Sequence, residues 1–281
     1  MLVRSVAVLI LALAPVGLPE FAVRPAIAQS EQAAVATLMR ATALDVVFSQ
    51  FAATIASSAR TEEISNDEIF LKHWEATANT VFAADKLHDR LARALEGKLS
   101  ADEQVVLGAF FRSDFGQRMT ALERNAALLA PTAQVAAISS GEKLFGSAPV
   151  IRSTQIDQLM ELVSAEISAA MVGQSLRALL LGLSVSHQQG QIAVPWEEID
   201  TQVQAMMPGL LLDIGQTQRA MMAYVYRDLS DEDLDRYITF LRTPAAQKFY
   251  AIAAYAVGRI VAEGMADFGE AFAARMQSVN V

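Results

Sequence analysis

LSADEQVVLGAFFRSDFGQRMTALE, residues 99–123, aligns without a gap on LSDEDLDRYITFLRTPAAQKFYAIA, residues 229–253. The identical pairs are Leu99/Leu229, Ser100/Ser230, Phe110/Phe240, Arg112/Arg242, Gln117/Gln247 and Ala121/Ala251. Asp102/Glu232, Ser113/Thr243, Arg118/Lys248 and Met119/Phe249 are similar. Matched positions also take matched physical roles: an N-cap, an acidic first turn, a core aromatic, a basic last turn and a second N-cap. Each segment reads as a helix, a sharp corner and a second helix. The pairing of Leu38-Met39 with Leu159-Met160, at the heads of the two halves, points the same way. A duplicated helical module is the expectation.

Outward from these segments the chain stays helical. Helix formers dominate, and no run of β-branched residues alternates with period two. The fold class expected is therefore all-α: a helical bundle of two tandem, diverged modules. A first helix is expected over residues 30–58, with Leu44, Val47, Phe48, Phe51 and Ile55 on one face. Ser65 and Glu68 make a capping box for a second, whose seam runs from Phe70 and Trp74 through Thr77, Val81, Ala84, His88 and Leu91 to Leu95. Gly97 stops it. A third opens at Ser100, boxed by Glu103, and a fourth restarts at Ser113 and is ended or kinked by Pro131. In the second half, helices are expected over 155–183 and from Pro195, the latter kinked or divided at Pro208-Gly209. A polar loop separates them at 184–194. Ser230 caps a short helix, and Thr243-Pro244 starts a long final one. Gly141, Gly146 and Pro149 mark residues 139–153 as a linker between modules spanning 29–138 and 154–281.

Residues 1–28 read as a signal peptide. Arg4 supplies a positive start, residues 6–18 are nearly all apolar, and Ala26-Ile27-Ala28 is a small-x-small site, placing cleavage before Gln29. The apolar run falls short of the roughly 20 residues a membrane span needs, and Pro15 interrupts it, so no stable anchor is expected after cleavage. The expected location is the periplasm. The whole chain carries a formal charge of -9; the leader holds Arg4, Arg24 and Glu20, which makes the remainder more acidic still. Such a chain lacks the positive field that nucleic acid or anionic lipid requires. There is no cysteine, which excludes a disulfide framework, a thiol nucleophile and a lipid-modified N-terminal Cys.

The core shared by the two segments runs Phe110, Phe111, Arg112, Ser113, then Gly116, Gln117 and Arg118. Its counterpart is Phe240, Leu241, Arg242, Thr243, Pro244, then Ala246, Gln247 and Lys248. This core resembles the motif of the family catalogued as domain of unknown function 2059. Members of that family are exported bacterial helical proteins with a motif reading roughly Phe-Tyr-x-Ser-Pro-x-Gly-Gln-Lys. Each copy keeps only one of the motif's Pro and Gly positions: Asp114 stands in place of Pro in the first, Ala246 in place of Gly in the second. The resemblance covers about 25 residues per copy. It implies a periplasmic helical protein and no assigned chemistry. Physically, the motif is explained as a corner between two helices. The alternative is a polar pocket built from Arg112 and Gln117, or from Arg242 and Gln247.

Little else offers chemistry. His73, His88 and His187 fit no metal-binding spacing, and no cofactor motif occurs. His88 lies on an apolar seam, where a core-edge role with one hydrogen bond is expected. The acidic clusters at Glu62/Glu63/Asp67/Glu68, Glu197/Glu198/Asp200 and Asp231/Glu232/Asp233/Asp235 stand at helix starts, where negative charge favours the dipole. No enzymatic activity, cofactor or metal is expected. Two functions remain. One is a non-catalytic interaction or structural module of the envelope, whose partner is another envelope protein or a second copy. The other is a carrier of a small apolar ligand in a groove between the modules, lined by methionines such as Met160, Met171, Met206, Met207, Met221 and Met222.

Overall fold

A computed structural model describes residues 25–61, 63–162 and 196–279. The leader up to residue 24, Met171, the expected loop at 184–194 and His187 lie outside the described residues. The described chain is an all-α bundle. Its helices are α1 (Pro25–Ala41), α2 (Phe51–Thr61), α3 (Glu68–Val81), α4 (Ala84–Leu95), α5 (Ala101–Phe111) and α6 (Asp114–Ala127). They continue as α7 (Pro131–Gly146), α8 (Val150–Leu162), α9 (Trp196–Val225), α10 (Asp231–Leu241) and α11 (Pro244–Val279). Among the described residues no helix is long and apolar enough to cross a membrane.

Several expected boundaries move. The helix expected over 30–58 is two helices, broken at Ala43, whose φ of 58° no right-handed helix accommodates. A single 3₁₀ turn, Leu44–Val46, then bridges to α2. The seam running to Leu95 is likewise split at Phe82-Ala83, so that Leu71, Trp74 and Ala78 face the core from α3 and Leu87, Leu91 and Leu95 face it from α4. The cap of α3 is Asp67 rather than Ser65: its Oδ1 accepts from the Ile69 and Phe70 amides, while Ser65 Oγ accepts from Asp67 N. The assigned helix α9 continues through Pro208-Gly209. α8 begins at Val150, earlier than expected.

The expected linker, residues 139–153, is the largest correction. It is helical except at Ser147, Ala148 and Pro149. Gly141 is buried in α7, and a Cβ there would collide with the Ala220 carbonyl of α9. Glycine here marks a close helix crossing rather than a break. The two expected modules accordingly share one hydrophobic core. The final helix α11 lies among helices of the first half: Phe268 and Phe272 pack edge-on to Trp74, and Phe268 stacks on Phe82. Trp74 Nε1 donates to the Ile55 carbonyl at 2.7 Å, which satisfies the one polar atom in that aromatic cluster.

The two aligned segments form matching helix–corner–helix units, α5–α6 and α10–α11. Ser113 Oγ accepts from Gly116 N and donates to the Phe110 carbonyl; Thr243 Oγ1 accepts from Ala246 N and donates to the Phe240 carbonyl. The capping box of Ser100 and Glu103 is present, and Ser230 caps α10 through Asp233 N. The units pack on each other reciprocally. Phe110 stacks on Phe240, Lys248 pairs with Glu103 at 2.8 Å, and Arg118 pairs with Asp233. In the alignment Glu103 matches Asp233 and Arg118 matches Lys248, so each unit offers the same two positions to the other. That is the contact pattern of a two-fold relation within one chain.

Candidate functional site

The corner residues are occupied by the fold. Gln117 Nε2 donates to the Arg112 carbonyl at 3.1 Å, and Gln247 Nε2 donates to the Leu241 carbonyl at 2.7 Å. Both glutamines thus cap the end of the preceding helix. A Cβ at Gly116 would strike the Phe110 carbonyl, so this glycine sets how tightly α5 meets α6. Pro244 occupies the first position of α11, as a missing amide proton allows. Neither Arg112 with Gln117 nor Arg242 with Gln247 forms the polar pocket considered above. Arg242 reaches Gln158 Oε1 at 3.3 Å. Arg112 takes a different course.

The guanidinium of Arg112 lies beside Gly108, and both residues line an open groove of about 440 Å³, within the range of small-molecule sites. The groove runs between α1, the α4–α5 turn, α5 and α11. α1 supplies small residues and one larger one, among them Ala34, Thr37, Leu38 and Ala41. The lining also includes Leu99 and, from α11, Ile252, both half-buried, with Phe111 and Phe249 buried beside them. The turn contributes Leu95, Gly97 and Lys98; Gly97 has a φ of 69°, which lets the chain reverse tightly enough to leave the space open. Because α11 belongs to the second half and α1 to the first, the groove lies between the two expected modules. Among the described residues no methionine lines it. Met160, Met221 and Met222 are buried in the core instead, and Met206 is exposed.

Three other candidates resolve into structure. His88 Nε2 accepts from the Phe48 amide at 3.2 Å, and the ring packs 5.5 Å from that of Phe48. Burial lowers its pKa, against the raising influence of Asp45, Asp89 and Asp85. The acidic start of α10 is consumed by tertiary contacts: Asp231 pairs with Arg152, Asp233 with Arg118, and Asp235 accepts from Gln155. Among the described residues no group of His, Cys, Asp and Glu is placed to hold a metal ion.

The third was not legible from the sequence. Glu123 Oε1 accepts from Tyr226 at 2.9 Å and from Tyr237 at 2.6 Å, and Tyr250 lies 3.3 Å from the Tyr237 hydroxyl. All three tyrosines are buried. Burial pushes the Glu123 pKa up, and the two tyrosine hydrogen bonds only partly oppose it. The phenols are in turn pushed up by burial and by the nearby carboxylate. With hydrogen-bond donors committed to it, this carboxyl ties α6 to the second half.

Comparisons with known proteins leave the site to be read from its own chemistry. No family model matches the chain, and neither does any curated protein or solved structure. The groove therefore stands on its lining, which is mostly apolar and includes the cations Arg112 and Lys98.

Proposed function

We propose that this chain is a non-catalytic binding protein of the bacterial envelope, and that the groove between α1, α5 and α11 takes a small apolar ligand. The observation that carries this reading is the groove itself: a largely apolar concavity of about 440 Å³ between elements from both halves of the chain. Export to the periplasm rests on the leader pattern of residues 1–28. Cleavage before Gln29 leaves the groove wall, which begins at Ala33, intact. The corner motif supports placing the chain beside the exported helical proteins of domain of unknown function 2059, as a diverged member with two copies.

A second reading, docking to another envelope protein or to a second copy, is favoured by one feature. Leu144, Val150 and Ile151, around the α7–α8 turn, are exposed apolar residues, Val150 at 82%. Binding of a neutral naphthylamine dye separates the two readings. Dye fluorescence should rise on binding to the native protein and be lost on Leu38→Trp, which fills the groove. A dye signal unaffected by Leu38→Trp, or no signal, contradicts the groove reading.

A further inference from the structure

The two copies of the corner differ at one place that bears on the groove. Position 108 of the first copy is Gly; its counterpart in the second is Ile238, which is buried. A Cβ at Gly108 would lie 2.6 Å from Arg112 Nη1 and 3.1 Å from Cζ. The absent side chain is what lets the Arg112 guanidinium fold back along α5 toward the groove. Arg242, preceded by Ile238 one turn earlier, points instead to Gln158. Gly in a helix interior costs roughly 1 kcal/mol against Ala, so its use here calls for a compensating role.

Arg112 is also uncommitted. Its guanidinium has no hydrogen bond or ion pair with any described residue, although the chain carries a formal charge of -9 and most arginines of the bundle are paired. Lys98, at the same groove, has no carboxylate partner among the described residues either. Two cations with no carboxylate partner among the described residues, lining an apolar groove in an acidic protein, are complementary to an amphiphile with a negative head. The planar fork of Arg matches a carboxylate with two parallel hydrogen bonds. A groove of about 440 Å³ is at the smaller end for ligand sites, which favours one alkyl chain over two.

We propose that the groove selects a single-chain carboxylate amphiphile of the fatty-acid type, its chain among the half-buried Leu38, Leu99 and Ile252 and its carboxylate at Arg112 with Lys98 beside it. This rests on the reading of the groove as a ligand site. Gly108 is a specificity-determining residue, because it gives the guanidinium its place.

The test is displacement of the neutral naphthylamine dye from the full protein by dodecanoate, dodecanol and dodecyltrimethylammonium. A merely apolar site prefers dodecanol, which is less soluble than the ionised acid. The expected result is the reverse, with dodecanoate effective at about tenfold lower concentration than dodecanol and the cation weakest. Arg112→Gln and Gly108→Ala should both abolish the preference, so that dodecanoate no longer displaces the dye better than dodecanol. Gly108→Ala should fold at least as stably as the native chain, and Arg242→Gln should retain the preference. Equal or better displacement by dodecanol, or a preference that survives both substitutions, overturns the proposal while leaving the groove reading intact. Failure of the dye and of all three chains to bind overturns the groove reading itself.

Discussion

Phe110 and Phe240, at the same place in the two aligned segments, lie face to face with centroids 3.5 Å apart and planes 3° from parallel. Around them the ion pairs Glu103–Lys248 and Arg118–Asp233 exchange the same two positions. These contacts join the first half of the chain to the second, so their energies should be coupled. A double-mutant cycle on Phe110→Leu and Phe240→Leu, read by urea unfolding, should give a coupling of about 0.5–1.5 kcal/mol. Strictly additive effects would show that the stack contributes only through burial.

Glycines at crossings should resist substitution where glycines with open space around them do not. Ala in place of Gly116 or Gly141 puts a methyl on the carbonyl of Phe110 or Ala220. Each change should destabilise by about 1–3 kcal/mol, as overpacking against backbone does. Gly215 in α9 has nothing near its missing Cβ, so Gly215→Ala should instead stabilise by up to about 1 kcal/mol. Thermal unfolding of the three variants checks the contrast.

His88 predicts one arm of the pH profile. Its neutral ring accepts from Phe48 N, and burial holds its pKa below the ordinary value. A lowered folded pKa means that the stabilisation is complete above the unfolded value of about 6.5 and is lost as pH falls through the folded one. Unfolding free energies measured downward from pH 7 should decline in that window. His88→Gln, which keeps an acceptor without the titration, should flatten that decline; an unchanged slope would assign the acid sensitivity elsewhere.

Glu123 acts in the opposite sense. Its folded pKa is raised by burial, so the favourable state is the protonated one. Its contribution is complete below the unfolded value of about 4.3 and is lost as pH rises through the raised folded value. Glu123→Gln keeps an acceptor for Tyr226 and Tyr237 and removes that slope. The variant should gain relative stability as pH rises from 4 toward neutrality. Glu123→Leu removes the acceptor as well and should cost about 1–3 kcal/mol at acid pH, the cost shrinking as pH rises through the folded value.

Local rules were legible in the sequence because their signals are local. Ser100, Ser113, Ser230 and Thr243 cap helices as their positions predict, and Pro244 begins one; Pro131, read as an end or kink, is instead the first residue of α7. Gly141 misled because a helix-crossing glycine and a linker glycine look alike until the partner, Ala220, is known. Ala43 misled for the opposite reason: nothing in an alanine announces a left-handed turn, and tertiary packing imposes it. The carboxyl–tyrosine cluster joins positions separated by more than 100 residues, and single-sequence periodicity carries no such pairing. The groove was anticipated as a space between the halves, but its lining was not. Methionine clusters fill the core, while the small residues of α1 leave the space.

Native mass spectrometry of the protein isolated from the producing cell decides whether the groove holds an amphiphile. The expected result is a reproducible added mass of one single-chain carboxylate, lost on denaturation and absent from Leu38→Trp. The same mass retained by Leu38→Trp, or an apo protein that gains no mass when dodecanoate is added, would contradict it.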